Sequence, residues 1–349
     1  NESLRSGRRL ILVSAPAGFG KTTLVSEWLH SRGAVIAPPA VIVPSAVIAP
    51  SPQAAWLSLD EGDNDPTRFG SYLIAALQSV HPGVGQETLN TLQAPQSLPL
   101  ETALVPTINE LSALPGLCVL VLDDLHTITA EPIHDALFYL IDHLPPQMHV
   151  VDLTRVDTPW PVARLRARQQ MTELRTQDLR FTEDQVATLV NDVVGLELSA
   201  EDVRLLDART EGWIAGLQMA ALAMATPLAS AGGPVPSAFI QALSGSHRFV
   251  LDYLVEEVLD RQSDEVQDFL LKTSILDRLS APLCDALLGD SESEATLHRL
   301  ERANLFLVPL DGERRWYRYH RLFADLLRSR LQRADPDEVP ALHRRASLW

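Results

Sequence analysis

Cysteine is nearly absent from this 349-residue chain. Cys118 and Cys284 stand far apart, with neither the paired spacing of a zinc site nor the density of a disulfide scaffold. A reducing compartment is the expectation. No charged, apolar and cleavage regions of a leader open the chain, and the one long stretch poor in polar residues, 34–50, is broken by prolines and too short to cross a bilayer. A soluble, cytoplasmic protein with no membrane partner is therefore expected. Basic charge is also in deficit: 29 Lys and Arg against 45 Asp and Glu leave a net charge of −16. That excludes a chain coating nucleic acid or anionic membrane with its whole surface, and leaves room for a local basic patch. Lysine is as scarce as cysteine, with only Lys21 and Lys272 among the 29 basic residues. What is present, 46% apolar and 21% charged residues, is a globular composition, and the length suits two or three domains.

Residues 34–51 hold three near-copies of one hexapeptide, "AVIAPP", "AVIVPS" and "AVIAPS". Pro38, Pro39, Pro44, Pro50 and Pro52 bar a continuous helix or central strand, so 34–52 reads as an inserted surface loop. Around it, short apolar runs at 10–14, 54–59, 117–122 and 148–154 alternate with helical patterns from Lys21, from Asp65 and near 132–143. Such alternation predicts a parallel sheet with helices on both faces. The acidic run Asp60 to Asp65 lacks the glycine placement of a calcium loop. Asp65 reads instead as a helix cap, with Pro66 in the first turn. After about 178 the pattern turns helical, with caps expected at Thr182 and Ser199 and an almost wholly apolar helix in "GWIAGLQMAALAMA". From about 247 four amphipathic helices precede "LFLVPL", an Asp311-Gly312 turn, "RWYRYH" and the helix "RLFADLLRSRL", an order that suits a winged helix. The expected fold is an α/β P-loop NTPase domain over 1–178, an all-α helical domain over 179–246 and a winged-helix domain over 247–335. Residues 336–349 begin one further helix.

The run Ala15-Pro16-Ala17-Gly18-Phe19-Gly20-Lys21-Thr22, straight after a strand, has P-loop spacing, with Ala15 where glycine is commonest. Gly18 and Gly20 let the backbone turn its amides, from Ala17 to Thr23, toward phosphate oxygens, and the following helix adds its positive end. Lys21 is placed to neutralise the β- and γ-phosphates and Thr22 to offer a hydroxyl to magnesium. A lysine here, in a chain that otherwise writes arginine, marks the one spot that needs a compact charge. "LCVLVLDDLH" supplies the acids: Asp123 to hold the metal with Thr22, and Asp124 to orient or deprotonate the attacking water. Arg155, after the next strand, is placed to read the γ-phosphate. His126 is either a surface histidine or a site residue, and Arg164, Arg166 and Arg168 read as a solvated helix face.

Six stretches, "LVSAPAGFGKTTLVSEWL", "AWLSLDEGDNDPTRFGSYLIAAL", "LVLDDLHTI", "ELRTQDLRFTEDQ", "EGWIAGLQMAALA" and "YRYHRLFADLLR", occur in an order that resembles the large ATP-binding LuxR-type transcriptional regulators, the family of the maltose-regulon activator. These are STAND-class P-loop ATPases. The resemblance implies ATP or ADP with Mg as cofactors, and further domains in the family: a helical-repeat sensor, begun here at 336–349, and a C-terminal helix-turn-helix. It implies that His320 contacts the β-phosphate of ADP, and that Gly212 and Trp213 belong to the motif beside adenine. The third residue of that motif, normally proline, is Ile214 here. The expected activity is a switch with slow ATP hydrolysis, ADP-bound at rest and self-associating with ATP. An inducer would act through the sensor, and DNA would be bound only through the C-terminal domain. Two alternatives stand beside it: a working ATPase such as a motor or remodelling enzyme, and a STAND signalling ATPase with an effector that does not bind DNA.

Overall fold

Three strands in the first half of the chain are mostly apolar and buried along their whole length because both faces of their sheet are covered. They are β1 (Leu10–Ser14), β4 (Cys118–Asp123) and β5 (Met148–Thr154), and every residue in them is buried. With β2 (Val35–Ile36), β3 (Gln53–Ser58) and β6 (Met171–Arg175) they form one parallel sheet of order β2-β3-β4-β5-β1-β6. The computed structural model describes residues 7–31, 35–36, 53–94, 98–225, 239–241, 243, 248–289 and 291–349. Its contacts divide into two compact units, one of Asn1–Ala15 with Lys21–Asp178 and the other of Pro16–Gly20 with Leu179–Trp349.

In the first unit, β5 lies between β1 and β4, so the strand ahead of the P-loop and the strand ending in the acids are not neighbours. Register nevertheless brings their ends to one edge, with Ser14 opposite Thr154 and Asp123 opposite Leu153. That carboxyl edge is where open α/β sheets present ligand-binding residues. The helices Pro66–Val80 and Glu131–Asp142 bury Phe69, Leu73, Leu77, Ile133, Leu137 and Leu140 in a single cluster with Leu10, Leu12, Leu120 and Val150. Asp65 caps the first of these helices, accepting from the Arg68 amide at 2.8 Å, and Asp60 caps the short turn before it. Two strands depart from the sequence reading. Val35–Ile36 pairs with Gln53–Ala54 at the sheet edge, where proline beyond the pairing is tolerated, so the loop reading is corrected at these two residues. The rest of 34–52 lies outside the described residues. The second, β6, pairs with β1 on its other side. Its sequence, MTELR, is too short and polar to stand out as a strand.

In the second unit, Thr182 and Gln185 form a capping box and Ser199 accepts from the Asp202 amide. The helix Ile214–Ala225 follows, apolar in sequence except at Gln218. The helices Arg248–Leu254, Asp264–Thr273, Ala281–Leu288 and Ser293–Arg302 come before a two-stranded ribbon, β7 (Leu307–Pro309) against β8 (Tyr317–Tyr319). The ribbon's connection contains the expected turn over Asp311–Arg314, in which the Arg314 amide donates to the Asp311 carbonyl at 3.4 Å. It runs from Leu310 to Trp316, the left-handed residue is Arg314 (φ 56°) rather than Gly312, and the Asp311 carboxylate accepts from the Arg315 amide at 2.9 Å. The side chain of Asp311 thus helps to close the loop. The helix Arg321–Ala334 buries Leu322, Phe323, Leu326 and Leu327. Leu342 of the last helix, Glu338–Ser347, packs with Leu287 and Leu331. The expected boundary at 246/247 falls outside the described residues.

Candidate functional site

The first unit assembles a charged set at the carboxyl edge of its sheet. Lys21 opens the helix Lys21–His30, and its Nζ donates to the Ala15 carbonyl at 2.8 Å. Burial, helped by the nearby Arg155 charge, lowers its pKa to about 8. Thr22 Oγ1 donates to Asp123 Oδ1 at 3.2 Å. Burial and the adjoining Asp124 push the Asp123 carboxyl above its ordinary range, against the Thr22 hydrogen bond and the Lys21 charge. Asp124 adopts a left-handed backbone (φ 58°) that turns the chain sharply after β4. Its carboxylate lies 3.6 Å from His126 Nδ1 and 3.9 Å from Arg155 Nε. Lys21, Thr22, Asp123, Asp124, His126 and Arg155 thus form one connected set, while Thr23 is exposed in the helix's first turn. The guanidinium groups of Arg164 and Arg166 pair with Asp142 and Glu173 at the surface.

A hydroxyl and a carboxylate held together after a P-loop lysine suit magnesium. Mg²⁺ takes one or two protein ligands and completes its shell with phosphate oxygens and water. Among the described residues, no group of three His, Cys, Asp or Glu is arranged to hold an ion alone.

The crown of the P-loop, Pro16–Gly20, finds its contacts within the second unit. The Trp213 indole N–H donates to the Ala17 carbonyl at 3.0 Å, and the Ala215 amide donates to the Gly18 carbonyl at 3.0 Å. Gly18 is left-handed (φ 76°), and a Cβ there would lie 2.6 Å from Ala215 Cβ and 2.7 Å from Trp213 Nε1. Glycine is obligatory on both counts. Gly212 is equally constrained, since its φ is 69° and a Cβ would lie 2.5 Å from the Phe181 carbonyl oxygen. Phe19 is buried with its ring centroid 6.3 Å from that of Phe306.

His320 stands at the start of Arg321–Ala334, 1% exposed, with ring centroids 6.0 Å from Trp213 and 5.6 Å from Phe306. Its Nε2 lies 2.9 Å from the Thr210 carbonyl, which can only accept, so Nε2 carries the hydrogen. Its Nδ1 is buried without a hydrogen-bond partner among the described residues. Burial lowers its pKa to about 4. Beside it, burial would raise the Glu211 carboxyl, but two Arg318 hydrogen bonds, at 2.8 and 2.7 Å, and the neighbouring His320 and Arg318 charges hold it at about 2.

Of the residues singled out from sequence, Ala17, Gly18, Phe19 and Gly20 therefore gather with Gly212, Trp213 and His320. Phe306, Tyr253, Glu211 and Ala215 are added by the structure. Glu211 and Ala215 flank Gly212-Trp213-Ile214 in the quoted stretch, the one signal that could have found them, whereas Phe306 and Tyr253 are defined by what they pack against.

Residues 255–339 match the sequence profile of the MalT winged helix domain. Over 351 aligned residues the chain is 33% identical to the serine/threonine-protein kinase PknK of Mycobacterium tuberculosis, covering 99% of this chain and 30% of that protein. It is 36% identical over 341 residues to the HTH-type transcriptional regulator MalT of Serratia proteamaculans, covering 97% of this chain and 35% of MalT. The chain thus spans about a third of the length of the curated relatives it matches. Among solved structures it is similar to the Aeropyrum pernix ORC1 protein in complex with DNA, at 16% identity and a TM-score of 0.44 over 97% of this chain and 91% of that one. The chain is similar to MalT along nearly its whole length, and it joins a parallel α/β sheet carrying a P-loop to helices and a MalT-type winged helix. Among the described residues no helix is long and apolar enough to cross a membrane.

Proposed function

We propose that this chain, MalT-like from its P-loop to its winged helix, is the nucleotide-operated switch of a STAND-class, LuxR-type transcriptional regulator. In this reading it rests with ADP, self-associates with ATP and resets by slow Mg-dependent hydrolysis. One observation carries the reading. A hydrolytic set of Lys21, Thr22, Asp123 and Asp124 accompanies a P-loop whose crown is bonded to the start of the helix Ile214–Ala225, so loop shape and helix position are linked. Two positions of one element with different nucleotide contacts are what a switch requires.

Bound Mg-ATP would supply the scissile phosphoanhydride and a Lewis acid on its phosphate oxygens. The crown amides and Lys21 hold the phosphates, Lys21 leaving the Ala15 carbonyl to do so. Thr22 and Asp123 would hold the metal. Asp124, fixed by the turn after β4, orients the attacking water and accepts its proton, while Arg155 senses the terminal phosphate. His320 Nδ1 faces the β-phosphate in the ADP state. An inducer acting through a sensor, and DNA contact through a helix-turn-helix, belong to this reading as parts of the longer regulator, residues 336–349 being where the sensor starts.

A second reading is favoured by the match to PknK. Similar sequence occurs within a protein described as a serine/threonine-protein kinase, so the switch is compatible with an effector that does not bind DNA.

The test is to purify the chain, denature it, identify the released nucleotide by chromatography and measure steady-state ATP hydrolysis. Stoichiometric ADP with little turnover supports the switch, and an empty site with sustained fast turnover supports a working ATPase instead. Lys21→Ala should abolish nucleotide binding. Asp124→Ala should keep binding and stop hydrolysis.

A further inference from the structure

We infer that Trp213 is a positioning residue for phosphate: its indole N–H, together with the Ala215 amide, sets the direction of the P-loop amides that receive the anion. The inference rests on the nucleotide reading above and concerns how the loop becomes competent.

The argument begins with the peptide bond. In a trans peptide the C=O and the following N–H point in opposite directions, and the described chain contains no cis peptide. Trp213 Nε1 holds the Ala17 carbonyl at 3.0 Å, which turns the Gly18 N–H away from the indole. Ala215 N holds the Gly18 carbonyl at 3.0 Å, which turns the Phe19 N–H away from the helix start in the same manner. Two successive amides are thereby aimed before any anion arrives, and pre-aimed donors bind without the cost of ordering them. Gly18 permits this approach because a Cβ would strike both partners.

Trp213 has little else to offer a nucleotide. Its side chain is 0% exposed, its ring is surrounded by Tyr253, Phe306 and His320 at centroid distances of 5.7, 5.3 and 6.0 Å, and Gly216 leaves room for its six-membered ring. No face of the indole is open for a base to stack on. The role is therefore carried by the N–H and directed at the loop, distinct from the adenine neighbourhood that the family motif implies.

Pyrophosphate separates the two roles, since it has the phosphates of ADP and no base. Calorimetric titration of the chain, freed of nucleotide, with magnesium pyrophosphate and with magnesium ADP is compared between wild type and Trp213→Phe, which keeps an aromatic ring and removes the N–H. Loss of one buried hydrogen bond should weaken both ligands by the same factor, about tenfold. Weakening of ADP alone would show a base contact and overturn the inference, as would equal affinities in variant and wild type. Wild type that binds neither ligand would remove the nucleotide reading itself, and this inference with it. Phenylalanine leaves part of the indole volume empty, so a second variant carries benzothienylalanine at position 213, with two fused rings and sulfur in place of N–H. Equal tenfold losses there, with an unchanged melting temperature, would exclude a purely structural role.

Discussion

Two buried titratable side chains give the molecule opposite responses to pH. His320, with a pKa near 4 against an ordinary value of 6.5, binds fewer protons when folded than when unfolded between those limits. Stability associated with it is complete above pH 6.5 and is lost as pH falls toward 4, an effect on the order of 3 kcal/mol for a fully buried ring. Denaturant melts at pH 4.5 and 7.5 should therefore differ less in His320→Gln than in wild type. Nδ1 of the neutral ring is an acceptor, so donation to a β-phosphate requires the imidazolium. ADP binding near pH 7 should take up about one proton, read as a buffer-dependent binding enthalpy that His320→Gln abolishes. Asp152 behaves conversely. It sits in β5 between Leu12 and Leu122, neither carboxyl oxygen has a hydrogen-bond partner among the described residues, and burial raises its pKa to about 8. The folded state therefore holds a proton that the unfolded chain has released, and the Asp152 contribution to stability falls as pH rises from about 4 to 8. Asp152→Asn should flatten this slope and leave the protein more stable than wild type at pH 8.5, by on the order of a few kcal/mol.

At the scale of elements, caps and registers do the placing. Asp65 fixes the start of Pro66–Val80, whose Phe69, Leu73 and Leu77 cover the sheet. Asp65→Ala should cost about 1 kcal/mol of stability, read by urea melts, without changing nucleotide affinity. These caps were legible in the sequence because a cap is a local contract between a side chain and an amide two or three residues on. The same holds for the P-loop turn and for the acids closing β4. The edge strand Val35–Ile36 and the strand β6 were not legible. Two residues, or five of which three are polar and do not alternate, become a strand only when a neighbour offers its open edge. The turn at Asp311–Arg314 was legible, whereas the Asp311 side-chain bond to the Arg315 amide was not, because a turn sequence does not encode it.

For the molecule as a whole, ligand linkage and charge give the broadest tests. A ligand that binds only the folded state stabilises it by mass action, about 2.7 kcal/mol at a hundredfold excess over Kd. ADP should raise the melting temperature of wild type accordingly and leave Lys21→Ala unmoved. With a net charge of −16, the chain should give no sequence-specific, salt-sensitive gel shift with promoter DNA. A clear shift would count against the assignment of its winged helix to nucleotide sensing. What the sequence determined by itself was local: the alternation of the four longer apolar strands with helices, the caps, and the spacing of Ala15 to Thr22 with Asp123 and Asp124, since each depends on neighbours along the chain. Only the tertiary structure decided that β5 separates the P-loop strand from the acidic strand, that Trp213 donates to Ala17 across 196 positions, and that His320 keeps one ring nitrogen without a partner among the described residues. Those facts depend on which distant surfaces meet, and hydrophobic periodicity says that a face will be buried without saying against what.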